Sequence, residues 1–173
     1  MEDVNAIVQE VLGQAREVIR AGEHWSPMVF LIHPDGMEVM EITAMGKTGA
    51  EKQRVADMIN DRMKDCGATL AIMVMDVWVA KVDKGSPRPH SVRNDPGRTE
   101  ALTATLWGPK QPTRMGMQSY SRDAKGKPVF GEFWWQTPQE RSSSRFAGDD
   151  IDAGLDRDSS SGSTGFKRDD RLQ

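Results

Sequence analysis

The sequence predicts an α+β protein, in which a mainly antiparallel sheet of about six strands has two helices packed on it. Two segments carry apolar residues at the three- and four-residue spacing of an amphipathic helix. The other apolar segments are short, and consecutive ones are joined by short polar connections, which favours antiparallel pairing. We expect one domain over residues 1–137, followed by a disordered tail over residues 138–173.

The first helix is predicted at the start of the chain. Apolar residues recur on one helical face between Val4 and Ile19, and Gly22 is placed to end the helix in the left-handed conformation. Residues 27–32 and 37–43 then flank the turn sequence around Asp35 and Gly36. This pattern predicts a β-hairpin.

The second helix has a start signal of its own. Thr48 and Glu51 have the spacing of a capping box, in which each side chain satisfies an unpaired backbone amide. The helix is predicted to carry Cys66 inward and to end at Gly67. Residues 69–82 are apolar on both alternating faces, which predicts a central strand covered on both sides.

Three further strands complete the predicted sheet. A polar, proline-containing stretch at residues 83–97 precedes strand-like segments at 98–107, 113–121 and 129–137, which are separated by turn-forming residues. The composition changes from residue 138 onward to Ser, Gly, Asp and Arg. Because the tail has few apolar residues to bury, it cannot offset the conformational entropy that ordering it would lose. We therefore expect this tail to be disordered.

The composition limits which cellular compartments and which classes of cofactor are compatible with the sequence. The single cysteine excludes an internal disulfide, and the acidic start of the chain is unlike a signal peptide. The longest apolar run, near residues 70–80, is too short to cross a bilayer. We therefore expect a cytoplasmic protein without a membrane partner. One cysteine and three isolated histidines lack metal-ligand spacing, so no metal, no cofactor and no catalytic residue is assigned.

The charge is distributed unevenly. Residues 1–83 carry 8 Lys and Arg against 14 Asp and Glu, whereas residues 84–127 carry 9 against 3. A basic surface of this kind can contact nucleic-acid phosphates, although nucleic-acid binders usually have a larger overall excess of positive charge. Nucleic-acid binding is therefore kept as a less favoured alternative. The basic residues of this segment are Lys84, Arg88, Arg93, Arg98, Lys110, Arg114, Arg122, Lys125 and Lys127.

Asp76 is the first candidate for a binding residue. It lies in the predicted central strand, on the same face as Trp78. Burying an unpaired carboxylate is costly, so Asp76 must have a partner, lie at a solvated strand end, or belong to a site. A structural reading pairs it with an arginine of a neighbouring strand, such as Arg98 or Arg114.

The loop before the fourth predicted strand supplies the other candidates. Long loops inside compact domains are often functional, and this one concentrates polar groups between residues 90 and 100. Its candidate binding residues are Arg93, Asp95, Arg98 and Glu100, to be taken together with Asp76 and Trp78.

Two motifs together resemble a group of uncharacterised bacterial and phage proteins. They are Asp76-Val-Trp78 and the following Asp95-Pro-Gly-Arg-Thr-Glu-Ala-Leu102. The resemblance extends over roughly residues 4–107, implies a phage or prophage origin, and brings no established activity. A phage origin would place the protein in the host cytoplasm or in the virion.

Three functions remain open at this stage. The favoured one is a non-enzymatic binding or assembly protein, which uses a sheet surface or edge and its tail to bind a protein partner or a second copy. The second is a small ligand-binding domain or enzyme centred on Asp76, Arg98 and Glu100. A pocket that joins these three residues and contains a carboxylate with a raised pKa would favour this function. The third is a nucleic-acid-binding accessory protein, which exposed Trp107 or Tyr120 on a continuous basic face would favour.

Overall fold

The computed structural model describes residues 4–46, 48–80, 92 and 95–136. The predicted domain end at 137 and the predicted tail at 138–173 lie outside these residues. The elements are α1 (Val4–Arg20), β1 (Met28–His33), β2 (Gly36–Glu41), α2 (Gly49–Cys66), β3 (Leu70–Val79), β4 (Thr99–Gly108), β5 (Gln111–Arg122) and β6 (Pro128–Trp135).

The six strands form one sheet in the order β2-β1-β3-β4-β5-β6, and every neighbouring pair is antiparallel. The predicted α+β fold is confirmed. Strand β3 lies inside the sheet and is buried on both faces from Leu70 to Val74, as its unbroken apolar run predicted. The strand limits differ slightly from the prediction, since β3 ends at Val79 and β5 already begins at Gln111.

The predicted helix ends are confirmed by backbone geometry. Thr48 Oγ1 accepts a hydrogen bond from Glu51 N, and Glu51 Oε2 accepts one from Thr48 N, which completes the capping box. Gly22 and Gly67 follow the two helices with φ of 82° and 68°, in the left-handed region that favours glycine.

The two helices lie on opposite faces of the sheet. The buried residues of α1 pack on one face, against apolar side chains of β1, β3 and β4 together with Tyr120 of β5 and three aromatic residues of β6. The buried residues of α2 pack on the other face, against β1, β3 and Trp107 of β4. The core under α1 therefore reaches across to β6, whereas the apolar cluster under α2 contains no residue of β5 or β6.

Neither α1 nor α2 has the length and apolarity that crossing a membrane would require, and the described residues contain no other helix of that kind.

Candidate functional site

The antiparallel register brings the candidate residues together at one end of the sheet. Trp78 of β3 lies opposite Glu100 of β4, and Glu100 lies opposite Tyr120 of β5. Asp76 is two residues before Trp78 and therefore faces the same side, which is the side covered by α1. Two residues predicted from separate segments, Asp76 and Glu100, thus belong to one site.

Tyr120 joins the two carboxylates. Its hydroxyl donates a hydrogen bond to Asp76 Oδ1 over 2.9 Å and lies 3.3 Å from Glu100 Oε1. The side chain is only 2% exposed. Because a phenol has one proton, the shorter contact to Asp76 is the one that we assign as donated.

Arg122 holds Glu100 with two hydrogen bonds. Its Nε donates to Glu100 Oε2 over 3.0 Å and its Nη2 donates to Glu100 Oε1 over 2.9 Å. This two-pronged geometry is the strongest arrangement between a guanidinium and a carboxylate. It fixes Glu100 beside Tyr120 and neutralises its charge.

The surroundings of Asp76 and Tyr120 raise the pKa of both side chains. Burial raises the pKa of Asp76; the hydrogen bond from Tyr120 acts in the opposite direction, and the charge of Glu100 raises the pKa further. Burial, followed by the hydrogen bond to Asp76, raises the pKa of Tyr120 well above its ordinary value. Tyr120 therefore stays protonated at neutral pH, and its hydroxyl is available as a hydrogen-bond donor to Asp76.

A cleft of about 420 Å³ opens beside this network. Its walls come from the end of α1 and the chain that follows, and from the adjacent ends of β3, β4 and β5. The lining residues are Ile19, Gly22, Glu23, His24, Asp76, Val77, Trp78, Glu100 and Arg122.

Arg98 contributes to the site through Trp78. Its guanidinium carbon lies 4.5 Å from the centre of the Trp78 ring, in a cation–π arrangement, and Trp78 remains 46% exposed. The predicted pairing of Asp76 with Arg98 or Arg114 is wrong. Arg98 lies over Trp78, Arg114 lies 4.3 Å over the ring of Trp135, and the phenol of Tyr120 is the partner of Asp76 instead.

Asp95 is not among the described residues that line the cleft. Asp95 Oδ1 accepts a hydrogen bond from Gly97 N over 2.8 Å, so this carboxylate shapes the turn before β4. Arg93 lies outside the described residues.

Tyr120 and Arg122 belong to this site although no sequence pattern predicts them there. The sequence indicates Tyr120 only as a candidate stacking residue and Arg122 only as a member of the basic segment. The available signal was the alternation of β5, since Tyr120 and Arg122 are two residues apart and so share a face. Using that signal would have required the register of β5 against β4.

No group of three or more His, Cys, Asp or Glu side chains suited to a metal ion occurs within residues 4–46, 48–80, 92 and 95–136. Cys66 is half-buried at the end of α2, where its thiol lies 3.7 Å from the carbonyl oxygen of Met63.

A second feature lies on the opposite side of the sheet, over β5 and β6. Met117 is directly opposite Trp134 there, and Trp134 and Val129 are 44% and 55% exposed. We call this surface the open half-face, because the apolar clusters under α1 and α2 do not include it, although Met115, Met117 and Ser119 are half-buried. It consists of Met115, Met117, Ser119, Val129 and Trp134.

The basic segment does not provide the stacking residues that its nucleic-acid interpretation required. Trp107 and Tyr120 are each only 2% exposed. Lys110 lies in the turn before β5 and Lys125 in the turn after it, at opposite ends of that strand.

Comparison with known proteins gives one match. The family model described as bacteriophage lambda protein ea47 matches residues 1–146. No curated protein and no solved structure matches.

Proposed function

The chain belongs to the bacteriophage lambda protein ea47 family, and on that premise we propose that it is a phage-encoded, non-enzymatic binding protein whose open half-face receives one amphipathic helix of a protein partner. It would act in the host cytoplasm or in the virion. The observation that carries the proposal is the uncovered apolar surface over β5 and β6.

The size of this surface supports a helix as the occupant. Each strand of a sheet takes up about 4.8 Å of its width, so the two strands β5 and β6 form a strip about 10 Å wide. A helix with its side chains is about 10–12 Å wide. The helix α2 covers the adjoining part of the same face, and one more helix beside it would complete that layer.

The chemistry of the surface supports an apolar contact. Its five residues are uncharged, and the cross-strand pair of Met117 and Trp134 lies at its centre. Methionine adapts to the shape of a partner, and tryptophan is the residue type that most often anchors protein interfaces. A partner helix would therefore dock through a stripe of apolar residues at helical spacing.

The edges of the sheet are less suited to binding by strand addition. The outer strand β2 carries Glu38 and Glu41, and the outer strand β6 carries Glu132. The pairing of β5 with β6 also shifts between Gln118 and Tyr120. Charged residues and bulges are the devices by which edge strands avoid pairing with other chains, so we place the interface on the face.

The polar site on the other side of the sheet supports a non-enzymatic role. Its tyrosine stays protonated, and both carboxylate oxygens of Glu100 are engaged by Arg122. Tyr120 and Glu100 are therefore held by hydrogen bonds within the network, which supports a structural role for these two side chains.

A photo-crosslinking experiment tests the proposal. Benzoylphenylalanine is placed at Ser119 in the full-length chain, which is then expressed in a phage-infected host. The matched control carries the same group at Met58 of α2, which is 48% exposed. We expect a protein to be crosslinked from position 119 and not from position 58, with the crosslinked peptide lying in an amphipathic helix.

The companion variant is Trp134→Ser, with Met58→Ser as its control. We expect only Trp134→Ser to abolish the crosslink. Equal crosslinking from positions 58 and 119 would overturn the proposal. So would crosslinks from position 119 that reach only residues 138–173 of the same chain, or only a second copy.

A further inference from the structure

We propose that the cleft beside Asp76 is a binding site for a positively charged nitrogen group, an alkylammonium or a guanidinium. The cleft opens on the α1 side of the sheet, away from the open half-face, so this site is independent of the interface proposed above.

Negatively charged groups reach the cleft from the sheet and from the chain at the end of α1. The carboxylate of Asp76 comes from the sheet, and Glu23 comes from the chain that follows α1. Ile19 and Gly22 place the C-terminal end of α1 at the same cleft. The C-terminal end of a helix carries partial negative charge from its aligned peptide dipoles, which stabilises a nearby cation.

The positively charged side chains nearby make their described contacts with groups other than Asp76. Arg122 donates to both oxygens of Glu100, and Arg98 lies over Trp78. Arg20 donates to Glu17 and lies over the ring of Phe130. Within the described ranges, the hydrogen bond that Asp76 accepts comes from a neutral phenol, so its charge lacks a directly bonded cation.

The aromatic wall has the geometry that a cation requires. Trp78 lines the cleft, is 46% exposed, and already has the guanidinium of Arg98 at 4.5 Å from its ring centre. A tryptophan ring attracts ammonium and guanidinium groups through its negative face. A ligand cation between Asp76 and the face of Trp78 that Arg98 does not cover would combine an ion pair with a second contact of this kind.

An anionic ligand fits the same cleft poorly. Glu23, Asp76 and Glu100 all line it, against Arg122 as the arginine in the lining. Nε and Nη2 of Arg122 are already used by Glu100, so a phosphate or carboxylate would meet Glu23 and Asp76, neither of which is bonded by an arginine among the described residues.

Binding of a cation should depend on pH. Burial holds the pKa of Asp76 above its ordinary value, so a cation must bind the ionised form and displace the proton. Affinity is then full above the raised pKa and falls as pH drops through it. The charged and titratable groups that face Asp76 are Tyr120, Glu100, His24 and Arg122, with Glu23 across the cleft.

Titration calorimetry on the full chain tests the proposal with four probes. They are n-butylammonium, n-butylguanidinium, neutral n-butanol, and a capped Gly-Gly-Arg-Gly-Gly peptide. We expect saturable binding of the cationic probes and none of n-butanol. Asp76→Asn should weaken that binding by about tenfold or more, as expected for a hydrogen bond to a charged group, whereas Asp35→Asn, in the exposed β1–β2 turn, should leave it unchanged.

Glu23→Gln provides the second variant, since Glu23 is exposed and its replacement leaves the core intact. It should weaken binding of the cationic probes by a factor of roughly two to five, in line with a partly screened charge. Equal affinity of Asp76→Asn and wild type, or failure of every cationic probe to bind at about 10 mM, would overturn the proposal. Tighter binding of the peptide than of n-butylguanidinium identifies a partner's side chain as the source of the cation. The reverse order identifies a free small molecule.

Discussion

Tyr120 on β5 donates a hydrogen bond to Asp76 on β3, across the intervening strand β4. Glu100 lies directly opposite Tyr120 on β4, and Leu102 lies opposite Asp76, so the phenol reaches diagonally over β4 to Asp76. The contact connects three strands at one end of the sheet. It also leaves the half-buried carboxylate facing the cleft.

Removing the hydroxyl of Tyr120 should destabilise the protein. Tyr120→Phe keeps the buried ring and its contact with Phe130, but it deprives Asp76 of its donor. We expect a loss of about 1–3 kcal/mol in the free energy of unfolding, measured by urea denaturation at pH 7. In a protein that already carries Asp76→Asn, Tyr120→Phe should lower the free energy of unfolding by a clearly smaller amount. Equal costs in the two backgrounds would show that the hydrogen bond contributes nothing to stability.

The raised pKa of Asp76 gives the stability a definite pH dependence. The folded state holds this proton more tightly than the unfolded chain, whose Asp pKa is about 3.9. The contribution of Asp76 is therefore fully present below that value and is lost as pH rises through the folded-state pKa. Wild-type unfolding free energy, measured relative to Asp76→Asn, should fall between pH 4 and the folded-state pKa. A rise over that interval would contradict the assigned direction of the shift.

Much of the fold could be predicted because the signals were local. The capping box of Thr48 and Glu51 and the glycine after each helix are read from residues a few positions apart. The proximity of Asp76 to Glu100 also follows from sequence order, since β3 and β4 are consecutive antiparallel strands. The assignment of the chain to a phage family likewise agrees with the resemblance noted from its motifs.

The features that could not be predicted from the sequence depend on the register of the strands and on which strands each helix covers. The partner of Asp76 could be named as Tyr120 only once β5 was aligned against β4, and a shift of one residue would have turned Tyr120 to the other face. The apolar pattern of α2 shows which side of the helix is buried. It does not show which strands that side covers, so the open half-face could not be foreseen.

The capping box of α2 can be tested on its own. Thr48→Ala removes the oxygen that accepts from Glu51 N, so one backbone donor in the first turn loses its partner. We expect a loss of about 1 kcal/mol in thermal or urea unfolding. Thr48→Ser retains the hydroxyl and should remain within about 0.5 kcal/mol of wild type. Equal losses in the two variants would mean that the methyl group, and not the cap, is responsible.

Two glycines should respond to alanine with opposite signs. At Gly116 on β5, an added Cβ would lie 2.2 Å from Cζ of Phe133. That ring packs edge-on against Trp135, with 5.0 Å between ring centres, and belongs to the layer under α1. It cannot withdraw without disturbing its neighbours, so Gly116→Ala should cost about 1–3 kcal/mol.

Gly13 lies within α1, where an added Cβ would be 3.6 Å from Nη2 of Arg16, an ordinary contact with a flexible side chain. Alanine is about 1 kcal/mol more favourable than glycine inside a helix, so Gly13→Ala should raise the free energy of unfolding by up to that amount. Both variants can be compared in one series of urea titrations. A stabilised Gly116→Ala protein would mean that Phe133 moves aside freely, and the aromatic layer between β6 and α1 would then be loosely packed.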